Sequence, residues 1–182
     1  IGREYALEIA RRGGRVLVND LGGDVGGRGG AATMAEQVVD EIRAAGGEAV
    51  PNGDSVATAA GCKAMVDQAL TAFGRIDALV CNAGIMRNAF IEEITDEDWD
   101  ATLGVHLSGS FRLTRAVWPL LKAGGGAVIN IIGVGGRTPG GEFAIGGSVN
   151  AGLLAFTKCM AEIGIKDGVR VKALAEELEA LE

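Results

Sequence analysis

The sequence is poor in cysteine, proline, aromatic residues and histidine. It has three cysteines, three prolines and one histidine among 182 residues, and aromatic side chains make up 4%. The cysteines, at positions 62, 81 and 159, are odd in number and widely spaced, so they suit neither a disulfide framework nor a metal-ligand pair. We therefore expect no metal site and a reducing, cytoplasmic location. No apolar run is long enough to cross a bilayer, which predicts that a membrane is not a partner.

Positive charge is also in deficit. Lysine and arginine number 17 against 24 aspartate and glutamate residues, so the net charge is −7. Binding to nucleic acid requires a basic face, and this balance argues against it. The length and the 48% share of apolar residues are typical of one globular domain. We assign residues 1–172 to that domain and residues 173–182 to a helical tail, because Leu174, Leu178 and Leu181 share one helical face.

Glycine is the residue type in marked excess. It accounts for 30 of the 182 residues, against a usual share of about 7%. The glycines cluster at residues 22–30, 124–126, 133–141 and 146–147. Such clusters suit either flexible connectors or loops whose backbone approaches a ligand closely. Composition by itself favours the connectors.

Short apolar runs alternate with longer segments of helical periodicity. Several of the runs are nearly continuous rather than alternating, as in strands that are buried on both faces. Repeated alternation of helix and strand predicts an α/β fold with a parallel sheet covered on both sides. The predicted strands are 15–20, 48–52, 77–82, 127–132 and 169–174, and the predicted helices are 3–12, 31–45, 57–73, 99–122 and 148–163.

Polar residues and glycines follow the predicted strands at the points where the strands end. Open parallel sheets bind ligands beyond the carboxyl ends of their strands, so these residues are candidates for a site. They are Asp20, then Asp54 and Ser55, then Asn82–Gly84, and finally the glycine-rich residues 133–141. An acidic residue in the position of Asp20 can accept hydrogen bonds from ribose hydroxyls and would repel the additional phosphate of NADP. Taken alone, an aspartate at a strand end is more often a turn former or a helix cap.

Taken together and in order, these residues make the sequence resemble the short-chain dehydrogenase/reductase family over nearly its whole length. CNAG at 81–84, VHLSGSF at 105–111, the strand and loop at 128–136, and DGVRVKA after helix 148–163 also carry the resemblance. VNDLGGD, ITDEDWD and VHLSGSF are closest to one subgroup. That subgroup is the (3R)-hydroxyacyl-CoA dehydrogenase part of multifunctional enzyme type 2, with its bacterial relatives.

The resemblance implies a Rossmann-type, doubly wound parallel sheet and a nicotinamide cofactor. It also implies a secondary-alcohol or ketone substrate, such as a hydroxyacyl group. Asp20 makes NAD the expected cofactor rather than NADP. The cofactor-binding residues that the resemblance implies are Gly2, Asp20, Leu21, Asp54, Ser55, Asn82, Ala83, Gly84 and Val105.

According to the same resemblance, the family's proton-transfer positions are occupied here by residues that lack the hydroxyl and ammonium groups of the family. The serine position falls on Gly133, the tyrosine position on Gly146, the lysine position on Asn150 and the asparagine position on His106. Tyr5 is the only tyrosine, and Ile9 rather than a lysine stands four residues later, so no register restores the pair. A tyrosine in this role needs a nearby ammonium group to lower its pKa. We therefore predict that the catalytic set is not intact and that activity is impaired.

His106 has two interpretations. It is the only histidine, and an unperturbed imidazole titrates near neutral pH, so it could take over as an acid or base. The alternative is a histidine on the helix that is satisfied by a hydrogen bond, which we favour.

The sequence is short at both ends relative to the family that it resembles. Ile1 and Gly2 correspond to the end of the family's glycine-rich turn, and neither the strand expected before them nor the family's last strand is found. The strands at 15–20 and 77–82 would then each carry an unpaired edge. Three alternatives stay open: the two strands pair directly, another chain fills the gap, or the sequence is part of a longer protein.

A second function class also stays open. The chain could be a catalytically dead or engineered member of the fold that serves assembly or binding, with glycines at 133 and 146 and the tail 173–182 pointing that way. A third explanation is that the protein carries larger side chains at positions 133 and 146 than the glycines in this sequence, which an intact mass would test. The resemblance implies a homo-oligomer that forms through helices 99–122 and 148–163.

Overall fold

A computed structural model describes residues 1–23, 26–27, 33–138 and 140–176. Helices and strands alternate along this part of the chain, at the positions that the apolar periodicity predicts. The helices are α1 (Gly2–Arg11), α2 (Thr33–Ala44), α3 (Ala59–Phe73), α4 (Asp96–Leu103), α5 (Gly109–Gly124) and α6 (Ala144–Asp167). The strands are β1 (Val16–Asn19), β2 (Ala49–Asn52), β3 (Ala78–Cys81), β4 (Ala127–Gly133) and β5 (Arg170–Glu176).

All described strand pairs are parallel, and they form two sheets. One sheet holds β1 and β2, with Val16 opposite Ala49. The other has the order β3-β4-β5, with Ala78 opposite Ala127. The Rossmann-like α/β fold class is therefore confirmed. Direct pairing of the strands at 15–20 and 77–82 is wrong for the described residues, because β1 and β3 lie in different sheets. The other two alternatives stay open.

Apolar helix faces cover both sheets. Val39 and Ile42 of α2 pack with Ala6 of α1 and Ala49 of β2. On the larger sheet, residues of α5, β4 and β5, with Val169 just before β5, form a second buried cluster of Val117, Leu121, Val128, Val169 and Val171. Burial at this scale removes apolar surface from water and is the main force that holds helices on a sheet.

The predicted helix 99–122 is two α-helices joined by a π-helical turn. The first helix starts at Asp96, where Thr95 Oγ1 accepts a hydrogen bond from the Asp98 backbone N–H over 3.1 Å. Gly104–Ser108 forms the π-helical turn, and α5 continues from it. Turns of this kind are rare and are often found at functional sites. This one carries His106 towards the carboxyl end of β3.

The predicted helical tail is wrong for its first four residues. Residues 173–176 are the second half of β5, which pairs with β4 along Ala127–Gly133. A strand at this edge gains a full ladder of hydrogen bonds from β4, and that gain outweighs the high helix propensity of alanine, leucine and glutamate. The remainder of the tail, residues 177–182, lies outside the described residues, as does the predicted start of the second helix at Ala31.

Helix α6 is the longest helix in the described part of the chain. Residues 141–167 are long and apolar enough to cross a membrane, a test that core helices of soluble proteins also pass. Here Val149, Leu153 and Thr157 are buried, and Thr157 accepts a hydrogen bond from the buried Asn130 of β4 over 2.8 Å. The helix therefore covers the larger sheet and carries the residues that follow Gly133 into the candidate site.

Candidate functional site

The carboxyl end of β1 carries Asp20 and Leu21 at the surface. Asp20 is exposed, and its Oδ1 accepts a hydrogen bond from the Gly22 backbone N–H over 2.6 Å. Leu21 is 45% exposed. Asp20 thus forms the turn that an aspartate after a strand commonly forms. A carboxylate has more acceptor sites than this one bond uses, so Asp20 can still accept from a hydroxyl pair.

The carboxyl ends of β1 and β2 are tied together by side-chain amides. Asn19 Nδ2 donates to Asn52 Oδ1 over 2.7 Å and to the Asp54 carbonyl over 2.9 Å. Asn52 Nδ2 in turn donates to Asp54 Oδ2 over 2.7 Å. Ser55 Oγ accepts from the Ala57 backbone N–H over 3.2 Å, so this loop leads into the capped start of α3. The network holds Asp54 and Ser55 in place beside β1.

The loop after β3 is exposed and small. Asn82, Ala83 and Gly84 are all exposed. A Cβ on Gly2 would lie 2.6 Å from Asn82 Nδ2, so the first turn of α1 lies directly against this loop. The N-terminus of a helix favours negative charge, and exposed backbone lets a ligand approach closely. Just before the loop, burial raises the pKa of Cys81 to about 12, so this thiol is a packing residue and not a nucleophile.

His106 bonds to the same loop. Its Nε2 lies 2.9 Å from both the backbone N and the backbone O of Ile85. A Cβ on Gly84 would lie 2.6 Å from the imidazole Cε1, so only glycine fits beside the ring. Burial lowers the pKa of His106, outweighing the opposite effect of its bond to Ile85. The preceding residue, Val105, packs against a buried cluster beneath α3 and α5. This geometry agrees with the interpretation of His106 as a satisfied residue that holds the loop.

The lowered pKa of His106 predicts a specific pH dependence of stability. Below the unfolded-state pKa of about 6.5, the unfolded chain binds a proton that the folded chain resists, so stability falls as the pH decreases. We expect the free energy of unfolding, measured by urea titration on either side of that pH, to decrease more in the parent protein than in His106→Asn. Equal pH dependence in the two proteins would contradict this role of His106.

Gly133, Gly146 and Asn150 lie together at the end of β4. Asn150 Oδ1 accepts a hydrogen bond from the Gly133 backbone N–H over 2.7 Å, and Asn150 Nδ2 donates to the Gly146 carbonyl over 2.8 Å. Asn150 is only 5% exposed. One side-chain amide of α6 therefore joins Gly146, one helical turn before it, to Gly133 at the end of β4. An amide does not titrate in water, so the joined positions supply no acid or base.

Phe143 fills the space beside these residues. A Cβ on Gly146 would lie 2.3 Å from the Phe143 ring, and one on Gly135 would lie 2.2 Å from it. Larger side chains at either position would displace the ring. By contrast, a Cβ on Gly133 would meet its nearest neighbour, Asn150 Nδ2, at 3.5 Å, which is an ordinary contact. The glycines at 135 and 146 are thus matched to the phenylalanine between them.

Phe143 and Arg87 are the residues that the sequence patterns did not identify. Arg87 Nε donates to the Gly26 carbonyl over 3.0 Å, and its Nη1 lies 2.8 Å from Asp98 Oδ1. It therefore joins the glycine-rich segment after β1 to the loop after β3 and to α4. Neither residue belongs to a recognisable motif, and a single arginine or phenylalanine carries no spacing signal. Only their contacts reveal them.

The described residues at the carboxyl ends of β1, β3 and β4 fit a dinucleotide. An exposed carboxylate follows β1, an exposed small loop follows β3, and the first turn of α1 lies against that loop. Gly133 and Asn150 stand at the end of β4, in the same larger sheet as β3. A bound nicotinamide would supply hydride chemistry at such an edge. The residues present would hold the dinucleotide, but His106 alone among them titrates near neutral pH in its unperturbed form.

Comparison with known proteins assigns this arrangement to a family. The model of the short chain dehydrogenase family matches residues 1–176. A short-chain type dehydrogenase/reductase of Mycobacterium tuberculosis is 40% identical over 176 residues, covering 96% of this chain and 62% of that protein. Peroxisomal multifunctional enzyme type 2 of Mus musculus is 54% identical over 122 residues, covering 67% of this chain and 16% of that protein.

A solved structure agrees with these matches. The crystal structure of a short chain dehydrogenase from Mycobacterium avium superposes with a TM-score of 0.86 at 37% sequence identity. The match covers 96% of this chain and 64% of the other. The chain thus spans less than two thirds of the length of each of these three proteins.

Proposed function

The chain belongs to the short-chain dehydrogenase/reductase family of oxidoreductases, and on that premise we propose that it binds NAD but transfers hydride poorly. The reaction class is hydride exchange between the nicotinamide and a secondary alcohol or ketone, with a hydroxyacyl group as the favoured substrate. Relatives in this family use NAD or NADP. The compartment that we propose is a reducing one such as the cytoplasm, since Cys62, Cys81 and Cys159 are all free thiols.

The bonds of Asn150 are the observation that carries this proposal. Hydride transfer to or from an alcohol carbon requires a proton to move at the oxygen, and a positioned acid or base contributes about 10²- to 10⁴-fold to the rate. The amide of Asn150 bridges Gly133 and Gly146, where the family resemblance expects a serine and a tyrosine. An amide bridge orients a carbonyl or hydroxyl without giving or taking its proton. Binding is therefore retained while the chemical step is slow.

Calorimetry with NAD⁺ and NADH, paired with turnover of a 3-hydroxyacyl-CoA, tests the proposal. We expect binding in the micromolar range and a turnover far below that of an active family member assayed in parallel. Turnover at a normal family rate would overturn the impaired chemistry. Absence of binding at millimolar cofactor would overturn the dinucleotide site and direct attention to assembly.

Asp20 is expected to select NAD over NADP. Its exposed carboxylate can accept hydrogen bonds from ribose hydroxyls and would repel a 2′-phosphate. Replacing Asp20 with alanine should raise the Kd for NAD about tenfold, the effect of losing one charge-assisted hydrogen bond, and should lower the Kd for NADP. Calorimetric titration with both cofactors measures the two changes.

Asp40→Ala is the matched control for Asp20→Ala. Asp40 is an exposed aspartate on α2, so its replacement changes the net charge by the same amount. We expect it to leave both dissociation constants unchanged. If the two variants shift NAD binding equally, net charge and not a contact from Asp20 determines the preference.

A second candidate function is an assembly or binding role on the same fold. Phe111 of α5 is 44% exposed and meets Phe156 of α6 edge to face, with ring centroids 6.4 Å apart. Ile163 and Ile165 at the end of α6 are also exposed. Apolar surface on these two helices supports a homo-oligomer. Sizing chromatography of the parent and of Phe111→Glu tests this, and a monomeric parent would exclude assembly through these helices.

A further inference from the structure

A cleft between α3 and α5 concentrates positive charge in an acidic chain. Its volume is about 280 Å³, and the side chains that line it include Lys63 and Asp67 from α3, and Arg112 and Arg115 from α5. Three cations and one carboxylate therefore face one cavity, although the chain as a whole has a net charge of −7. None of these residues belongs to the candidate dinucleotide site.

Both guanidinium groups are held in place by bonds that leave their charge unneutralised. Arg112 Nη1 donates to the Ala57 carbonyl over 2.8 Å. The Arg115 guanidinium carbon lies 4.9 Å from the centroid of the Phe111 ring, a cation–π distance. No carboxylate of a described residue lies within 4.0 Å of either group. Positioned guanidinium groups without a counter-charge lose little side-chain entropy when an anion binds.

Arg112 and Arg115 stand one turn apart on α5, and both line the cleft together with Cys62 of α3, which is only 2% exposed. Lys63 pairs with Asp67 one turn along α3, so the single carboxylate of the cleft already has a partner. The positive charge of the two arginines is therefore available to a ligand.

We propose that the α3–α5 cleft is a binding site for a phosphate group, held by Arg112 and Arg115. Guanidinium groups bind phosphate oxygens in pairs of parallel hydrogen bonds, which suits a tetrahedral oxyanion better than a spherical ion. The cleft is open to solvent on one side and has a volume of about 280 Å³, which suits a small ligand, either free phosphate or a phosphate monoester. The site is independent of the proposed dinucleotide function, so either can fail without the other.

Nitrogen-15 NMR titration with inorganic phosphate tests the site directly. We expect saturable shifts of the Arg112 and Arg115 Nε–H signals and of the Cys62 and Val66 amides, at constant ionic strength set with chloride. Shifts that stay linear in phosphate concentration, or that saturate only near Gly2 and Asn82, would overturn the proposal. A parallel titration with glycerol phosphate distinguishes the two sources, since tighter binding of the ester would identify a monoester as the ligand.

Variants separate the cleft from a general effect of charge. Arg112→Gln/Arg115→Gln should weaken phosphate binding at least about tenfold, since charge-assisted hydrogen bonds are lost. Arg11→Gln/Arg12→Gln removes the same charge at the end of α1 and should leave binding unchanged. Equal weakening in both pairs would overturn the site. If Arg112→Gln prevents folding, Arg115→Gln alone tests the site, because Arg115 is exposed and stacks on the Phe111 ring.

Discussion

Restoring a proton-transfer set is expected to raise turnover by about 10²- to 10⁴-fold, the usual contribution of a positioned acid or base. The change is Gly133→Ser, Gly146→Tyr and Asn150→Lys, combined with Phe143→Ala. The structure explains why the fourth substitution is needed, since a Cβ at position 146 would lie 2.3 Å from the Phe143 ring. The measurement is kcat/KM for a 3-hydroxyacyl-CoA with NAD⁺.

The four substitutions together are expected to lower the free energy of unfolding. Asn150→Lys removes the amide that satisfies the Gly133 N–H and the Gly146 carbonyl. A buried polar group left without a partner costs about 1–3 kcal/mol. The variant should therefore unfold at a lower denaturant concentration than the parent, and turnover has to be measured where both proteins are folded.

A matched variant with Gly146→Phe in place of Gly146→Tyr isolates the hydroxyl. It carries the other three substitutions and the same ring, so it shares their effects on packing and stability. We expect it to stay at the parent rate. If the tyrosine and phenylalanine variants turn over equally while both bind NAD, proton transfer at position 146 is not what limits this protein.

Gly61→Ala is expected to lower the free energy of unfolding by about 2 kcal/mol. Gly61 lies in the first turn of α3, and a Cβ there would be 2.2 Å from the Ser55 carbonyl oxygen. Overfilling a packed site costs about 1–3 kcal/mol, and a backbone contact that cannot rotate away belongs at the upper end. The intrinsic preference of alanine for a helix returns about 0.5–1 kcal/mol of that loss. Urea unfolding measures the net change.

The same substitution should weaken NAD binding, because Ser55 belongs to the proposed cofactor site and its backbone has to move. Gly124→Ala is the control. Gly124 ends α5, and no atom lies within 4 Å of the place where its Cβ would stand. We expect it to stabilise the protein by about 0.5–1 kcal/mol and to leave NAD binding unchanged. A neutral or stabilising Gly61→Ala would contradict the close contact with Ser55.

The strands and helices could be predicted from sequence because their signals are local. Val16–Val18 and Ala127–Ile129 are continuously apolar, and the segments between the strands repeat their apolar residues with helical period. The tail was mispredicted because its structure depends on a strand that is distant in sequence. Residues 173–176 have high helix propensity, yet pairing with β4 makes them a strand. Propensity is worth tenths of a kcal/mol per residue, which a ladder of hydrogen bonds exceeds.

The sequence by itself determined which residue types stand at each position of the candidate site. It has one tyrosine, no Tyr-x-x-x-Lys pair, and an aspartate at the end of the first apolar run. These are facts of composition and order, and folding cannot change them. The expected loss of proton transfer rests on them, whereas the α/β class rests on the alternation of helix and strand, and the family resemblance rests on motifs such as CNAG at 81–84.

Only the tertiary structure decided how these residues meet. It joins Gly133, Gly146 and Asn150 through one amide, and it places Phe143 where a larger residue at 146 would stand. It also brings Arg112 and Arg115 to the same cleft as Lys63, about fifty residues away in the chain. Such contacts depend on the packing of helices against sheets. The bond between Gly133 and Asn150 and the cleft between α3 and α5 join residues remote in sequence, and no local pattern encodes such distances.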